Sequence, residues 1–426
     1  VGSDAAGRGE AAETPFLTLQ KAVDSTSTGV KTVIHAAAGH YREGGKALDI
    51  DLPAGIGGGH SSLTNRVCVP GGDYSLVLRG AGAGQSFIHG AADPVTKGNG
   101  PAAVRPYGCY SSGNVALQGF TLTDGYSNGS ATPRWDSCGA TAGPSSSGRA
   151  RLFDCTVTGC HGYYGVSLYT MPYRCRFTQN TAGTMLFYEG WVVNSLVYDN
   201  DVAVNFHDSK ILGTTCIGAA GGQKPSQGGS KFYASILVNA NAFETGSLFN
   251  GTLTWGGVVP SATAGSFAVG NPFFQDAANG KVNVYPFSPA LTCVTDIAGD
   301  YLNHLVKYAS GDLNGNRMMT RPSGVAAGCD HTQVDLSGHI YADAPKGGMT
   351  VAGGDLGDVL VSGETVTLTQ AAAEPEQPEF EIVEGVLVGY HGKGGHVKIP
   401  DEVRIIGPRV FRDNASVLSV ELPDSL

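Results

Sequence analysis

The sequence predicts an all-β fold whose first three-quarters is a β-solenoid, a stack of strand-rich coils. Three observations carry that prediction: a short internal repeat, an excess of glycine and a deficit of charge. Gly accounts for 63 of 426 residues, about twice the usual ~7% share. Charged residues make up only 15%, against a typical ~25%. Glycine weakens helix interiors, and the Glu, Lys and Arg that coat helix surfaces are scarce, so little helix is expected.

The repeat is legible residue by residue. Phe153-Asp154-Cys155-Thr156-Val157 returns as Tyr173-Arg174-Cys175-Arg176-Phe177 and again as Val193-Asn194-Ser195-Leu196-Val197, each block starting 20 positions after the last. Leu212-Gly213-Thr214-Thr215-Cys216 follows after 19. Cys160, Asn180 and Asn200 keep the same step. Twenty residues are too few for a helix pair and suit one solenoid coil, in which equivalent side chains lie over one another. Cys155, Cys175 and Ser195 are thus expected as an inward ladder, and Asn180 over Asn200 as a hydrogen-bonded ladder at a bend. Unrelated hairpins of similar length are the competing reading. Gly119-Phe120-Thr121-Leu122-Thr123 reads as an earlier coil and Ser235-Ile236-Leu237-Val238-Asn239 as a later one. Gly125 to Gly148 and Gly218 to Ser230 read as long loops leaving the stack.

The opening of the chain carries a resemblance. Pro15 to Asp24, then Thr32-Val33-Ile34-His35 and Gly39-His40-Tyr41, resemble the start of secreted bacterial right-handed parallel β-helix proteins of the pectin-lyase-like family. In that family a short amphipathic helix caps the first coil. The apolar spacing agrees, since Phe16, Leu19 and Val23 share one helical face. A cap is also expected physically, because an open solenoid end leaves strand edges unpaired. Leu76 to Gly82 resembles the family's second coil. Gly270 to Phe274, Ser288-Pro289-Ala290 and Asp312 to Arg317 resemble its closing segment, from which Gly324 to Asp330 departs. The resemblance spans residues 1–335 and implies a right-handed parallel β-helix there.

Composition shifts beyond that point. Residues 336–378 read as a short β segment, including Asp358 to Val361 and Thr365 to Thr369, followed by a Pro/Glu linker at Glu374 to Pro378. Residues 379–426 resemble a BspA-type leucine-rich repeat of bacterial surface proteins, carried by Phe380 to Leu387, Tyr390 to Gly395, Ile399-Pro400-Asp401, Ile406-Gly407 and Phe411. Ile399-Pro400-Asp401 returns as Leu422-Pro423-Asp424 after 23 residues, within the ~20–29 range for leucine-rich repeats. The unit is partial, and a single repeat cannot bury its own apolar face, so the natural chain is expected to continue past Leu426 or to pack this repeat on the preceding strands.

The net charge of -10 is spread without a basic stripe, which argues against nucleic acid. No apolar run is long enough to span a bilayer. Nine cysteines without a CxxC pair point to buried thiols, although stacked cysteines on neighbouring rungs could pair. No signature dictates a reaction: GxSxG, HExxH and a phosphate loop are absent. Gly80 to Gly84 reads as a turn. Asp312 to Asn316 lacks the ligand order of a calcium loop because Gly315 arrives early, so no cofactor is expected, with a structural or catalytic calcium, which no clear motif indicates, as the alternative.

The coil register supplies the chemical candidates. With Cys160, Asn180 and Asn200 aligned, Ser167 should stack with Phe187 and His207, and Tyr169 with Glu189 and Ser209. Val166, Leu186 and Phe206 would then point inward and the Ser167 and Tyr169 columns outward. Glu189, His207 and Asp208 become candidate acid–base groups. Tyr163, Tyr169, Glu189 and His207 become candidate ligand contacts. Solvated side chains on an inert sheet are the alternative. The Asp cluster with Arg or Lys that a resemblance to pectate lyases would require is missing. Three roles follow: a secreted or cell-surface adhesion module binding a polysaccharide, a host or cell-surface glycan, or a protein; a polysaccharide lyase or glycoside hydrolase; or a structural spacer. One scaffold can host all three.

Overall fold

The computed structural model describes residues 15–52, 59–129, 137–143, 150–218 and 229–240, most of 243–291, short strands between 294 and 369, and most of 379–423. Strands dominate among the described residues, and they run mainly parallel in two long sheets of 19 and 8 strands. The fold is all-β and solenoid-like. Coils follow one another at the spacing seen in the sequence: Ala150–Phe153 lies beside Thr170–Tyr173, with Phe153 opposite Tyr173, and Tyr173 opposite Val193. Val157 faces Phe177, which faces Val197 and then Cys216.

Each coil bends at residues in the left-handed region. Asp154, Arg174 and Asn194 form one corner column, with φ of 53°, 52° and 45°. Gly213 and Ala234 continue it at 54° and 46°. Non-glycine residues there cost about 1–2 kcal/mol, and Asp and Asn tolerate it best. Ala234 has no polar side chain to offset that strain. Ala234→Gly is therefore expected to leave stability within about 1 kcal/mol of the parent, the relief of strain offsetting the extra unfolded-state entropy of glycine and the loss of a buried methyl. A urea midpoint close to the parent's at constant slope would show it; a fall of more than about 1 kcal/mol would mean that the bend is not strained.

The interior is built from the predicted columns. Cys155, Cys175 and Ser195 are all buried, and the Cys175 amide donates to Ser195 Oγ at 3.1 Å. Thr214 and Ser235 extend the ladder, accepting from the amides of Ser195 and Thr214. At the next bend, Asn180 Nδ2 donates to Asn200 Oδ1 at 2.9 Å and Asn180 Oδ1 accepts from the Cys160 amide at 3.1 Å. These side chains satisfy backbone groups that the bend takes out of the strand ladder. Beside them an aromatic file fills the core: Phe187 stacks on Phe206 with centroids 5.4 Å apart, and Phe232 on Phe249 at 5.1 Å.

The helix Leu19–Asp24 begins with Thr18, whose hydroxyl accepts from the Lys21 amide. Phe16, Leu19 and Val23 are buried in the main core. Gln20 completes the junction, its amide nitrogen donating to Cys68 O at 3.1 Å and its oxygen accepting from Cys68 N at 2.7 Å. It thereby pairs a backbone edge as a neighbouring strand would. Lys31–Ala36 pairs with Ser75–Arg79 on one side and with Thr365–Thr369 on the other.

Two regions differ from the sequence-based expectation. Within Gly125 to Gly148, expected as loop, Cys138–Ala142 is a strand pairing with Gly165–Leu168 and Val104–Cys109. The small side chains of Cys138-Gly139-Ala140-Thr141-Ala142 carry no β-branched or aromatic pattern beyond Thr141, so propensity conceals it. Lys46–Leu52 and Gly59–Val69 form an antiparallel pair that no repeat announced. Asp312 to Asn316 and Asp358 to Val361 lie outside the described residues.

The chain divides into two compact units, 1–372 and 373–426. In the second, Phe380–Val383 and Val386–Tyr390 are antiparallel, while Gly395–Lys398 runs parallel to Val417–Glu421. Lys398 faces Glu421, an offset equal to the 23-residue period. Leu387, Ile399 and Val403 form its small core.

Candidate functional site

The 20-residue register slips by one inside the candidate region. Thr181 pairs with Asp201, a step of 20, whereas Met185 pairs with Val204, a step of 19, with an irregularity between Ala182 and Met185. The cause is the 19-residue coil already visible at Leu212: one strand must absorb the missing residue. Phe206 therefore lies opposite Phe187 rather than Leu186, and His207 lies opposite Tyr188 rather than Phe187.

Val166 and Leu186 are buried in the main core as expected, but the outward face expected of the Ser167 column is corrected. Ser167, opposite Phe187, is buried and bonds Thr141 Oγ1 at 2.9 Å. Phe187 and Phe206 belong to the main core, so the Ser167 column is an inward one. Tyr169, Glu189 and Asp208 are all corner residues, with φ of 51°, 48° and 45°. Their left-handed bends align Asp208, not Ser209, with Glu189.

The corrected register still gathers the predicted side chains, around Tyr188. Its ring lies 5.1 Å from that of His207 and meets Tyr169 edge-on at 5.8 Å. His207 Nε2 stands 3.7 Å from Asp208 Oδ2. Burial and the Glu189 carboxylate push the Tyr188 hydroxyl well above its ordinary value. The cluster is largely closed: Tyr169 is 5% exposed and His207 3%. Its ring contacts and buried imidazole suit a rigid corner, while Glu189 and Asp208 remain partly accessible.

Tyr163 stands apart from that cluster, 47% exposed. It lines an open groove of about 830 Å³ together with Asn99, Tyr164, Thr181, Thr184 and Asp201. The groove follows three rungs at one register position, since Gly162 faces Ala182 and Ala182 faces Val202; His161, beside that lining, faces Thr181. His161 Nδ1 is 2.6 Å from Thr181 Oγ1, and burial holds its imidazole below the ordinary value, with Asp124 opposing. It is accordingly neutral at pH 7. Gly162 and Gly183 let the backbone pack closely under the groove, because a Cβ there would run into the carbonyl oxygens of Gly165 and Tyr163. One wall is braced by Ser127, whose hydroxyl accepts from the Tyr163 amide at 2.7 Å and bonds Asn99 Oδ1 at 3.1 Å.

Sequence reasoning missed His161, Thr181 and Asp201, although they lie one position past the Cys160, Asn180 and Asn200 ladder that it used. The signal was present; three unlike residue types do not announce a column. Asn99 arrives from a loop and carried no signal. Among the described residues no group of three or more His, Cys, Asp or Glu side chains is arranged to hold a metal, and no helix is long and apolar enough to cross a membrane. Comparison with protein-family models and with curated proteins gave no match to this chain.

Proposed function

We propose that this chain is a secreted or cell-surface right-handed parallel β-helix that binds a polysaccharide or cell-surface glycan along the Tyr163 groove, with a BspA-type leucine-rich unit at its C-terminal end. The observation that carries this reading is the groove itself. It is long, open and polar, with a half-exposed tyrosine at its edge and hydroxyl, amide and carboxylate groups along its length. Neighbouring rungs lie ~4.8 Å apart, a repeat that suits successive hydroxyls of a sugar chain. Tyrosine offers an apolar face to a pyranose ring and a polar hydroxyl beside it.

A catalytic reading, as a polysaccharide lyase or glycoside hydrolase, draws on one observation: a neutral imidazole, a hydroxyl and a carboxylate occupy consecutive rungs at His161, Thr181 and Asp201. A neutral imidazole in reach of a bound hydroxyl could act as a base.

One experiment separates the readings. The protein is applied to a glycan array, and the polysaccharides it retains are then incubated with it and assayed for new reducing ends and unsaturated products. Retention without products supports the binding module; products lost on His161→Ala support the enzyme. No retention across neutral and acidic polysaccharides would overturn both.

A further inference from the structure

A second polar constellation lies on the first coils, built from residues that the groove does not use. His40 Nδ1 faces His89 Nε2 at 2.8 Å. The other nitrogen of His89, Nδ1, lies 2.6 Å from Asp124 Oδ2. We propose that His40 and His89 form a two-imidazole site for a divalent transition metal ion, with Asp124 as the carboxylate that orients His89.

The geometry argues for a site rather than a chance contact. Two ring nitrogens aimed at each other can share only one proton. Asp124 accepts the Nδ1 proton of His89. The other ring nitrogen of His89, Nε2, is the one that faces His40. A carboxylate behind a ligating histidine fixes its tautomer and raises its basicity, the usual support of a metal-bound imidazole. Both rings are also held in place. His40 stacks on Phe87 with centroids 4.4 Å apart and planes 6° from parallel. Asp124 takes a hydrogen bond from Thr123 Oγ1 at 3.3 Å, and the backbone of His89 is tied to Arg66 Nε at 2.9 Å.

Metal–imidazole bonds of about 2.0–2.1 Å at a tetrahedral angle place two nitrogens roughly 3.3 Å apart. The 2.8 Å gap needs to open by about half an ångström, and the rings, whose nitrogens face each other head-on with centroids 5.1 Å apart, need to tilt so that both lone pairs converge on the ion. In that step the one proton between the facing nitrogens moves to the outer nitrogen of His40 or to solvent, and both facing nitrogens become ligands. Imidazole favours Cu²⁺, Ni²⁺ and Zn²⁺ over Mg²⁺ and Ca²⁺. Water or a further donor would complete the coordination. The half-buried His40 leaves the ion an approach from solvent, whereas His89 is nearly enclosed.

The test titrates tag-free, metal-stripped protein with Cu²⁺, Ni²⁺ and Zn²⁺ by calorimetry, comparing the parent with His40→Ala, His89→Gln, Asp124→Asn and the control His35→Ala. The parent and the control should each take up one ion that His40→Ala and His89→Gln do not. Asp124→Asn should weaken that uptake about 10–100-fold. Copper-loaded parent should show nitrogen hyperfine structure from two imidazoles in its spin-resonance spectrum, a readout available even if the His89 variant fails to fold. Absence of stoichiometric uptake by the parent, or uptake unchanged by His40→Ala, would overturn the site. Unchanged affinity in Asp124→Asn would overturn the role given to the carboxylate.

Discussion

Phe187→Ala should destabilise the coil stack by about 3–5 kcal/mol, the cost of emptying a large aromatic site that cannot collapse. Phe187 is fully buried, stacks on Phe206 at 5.4 Å and meets Phe177 edge-on at 4.6 Å. Those neighbours sit on parallel strands whose spacing is fixed by backbone hydrogen bonds, so they cannot close over the void. The effect should appear as a lower urea midpoint. Because a solenoid is held by nearest-neighbour interfaces, the coils around residues 170–210 should lose amide protection first. A loss under 1 kcal/mol would mean that this aromatic file is loosely packed.

Asn180→Leu should cost nearly as much by a different route. The side chain is almost isosteric but removes every hydrogen bond that the Asn180 side chain makes. Asn180 Nδ2 donates to Val157 O and Asn200 Oδ1, each at 2.9 Å, and Oδ1 accepts from the buried Cys160 amide. Each group left unsatisfied costs about 1–3 kcal/mol. Equilibrium unfolding checks the sum, and Asn180→Asp separates polarity from shape. If the leucine variant matched the parent, the ladder would contribute no net stability and apolar packing alone would hold the bend.

How much of this was legible from the chain depends on what each column is made of. Like residues stacked on like residues announce themselves: Cys155, Cys175 and Ser195, or Asn180 and Asn200, revealed the coil length before any coordinates. The strand Cys138–Ala142 did not, because its small residues carry no alternation and glycine-rich flanks surround it. The site was readable to within one residue. A period of 19 between two blocks was visible at Leu212, but where the missing residue is absorbed is decided by packing. The irregularity between Ala182 and Met185 puts the slip ahead of Phe206, seating Phe206 on Phe187 in the core and turning His207 toward Tyr188. A one-residue shift exchanges the neighbours that a strand meets, which is why Phe206 rather than His207 faces Phe187; Ser167 pairs with Phe187 at the expected step of 20 and is inside because Phe187 points into the core. The His40, His89 and Asp124 constellation draws on three separate coils whose spacings of 49 and 35 residues follow no common period, so no repeat could have paired them.

The most direct test of the proposed role is the retardation of parent protein and Tyr163→Ala in native gels containing polysaccharides that the array identifies. Tyr163 is exposed and outside the core, so the variant should fold and melt as the parent does. Loss of its stacking, roughly 1.4 kcal/mol, corresponds to about a tenfold weaker affinity. A tenfold rise in the polysaccharide concentration needed to retard the variant is the result expected of a groove that binds glycan. Equal retardation of both proteins would contradict it.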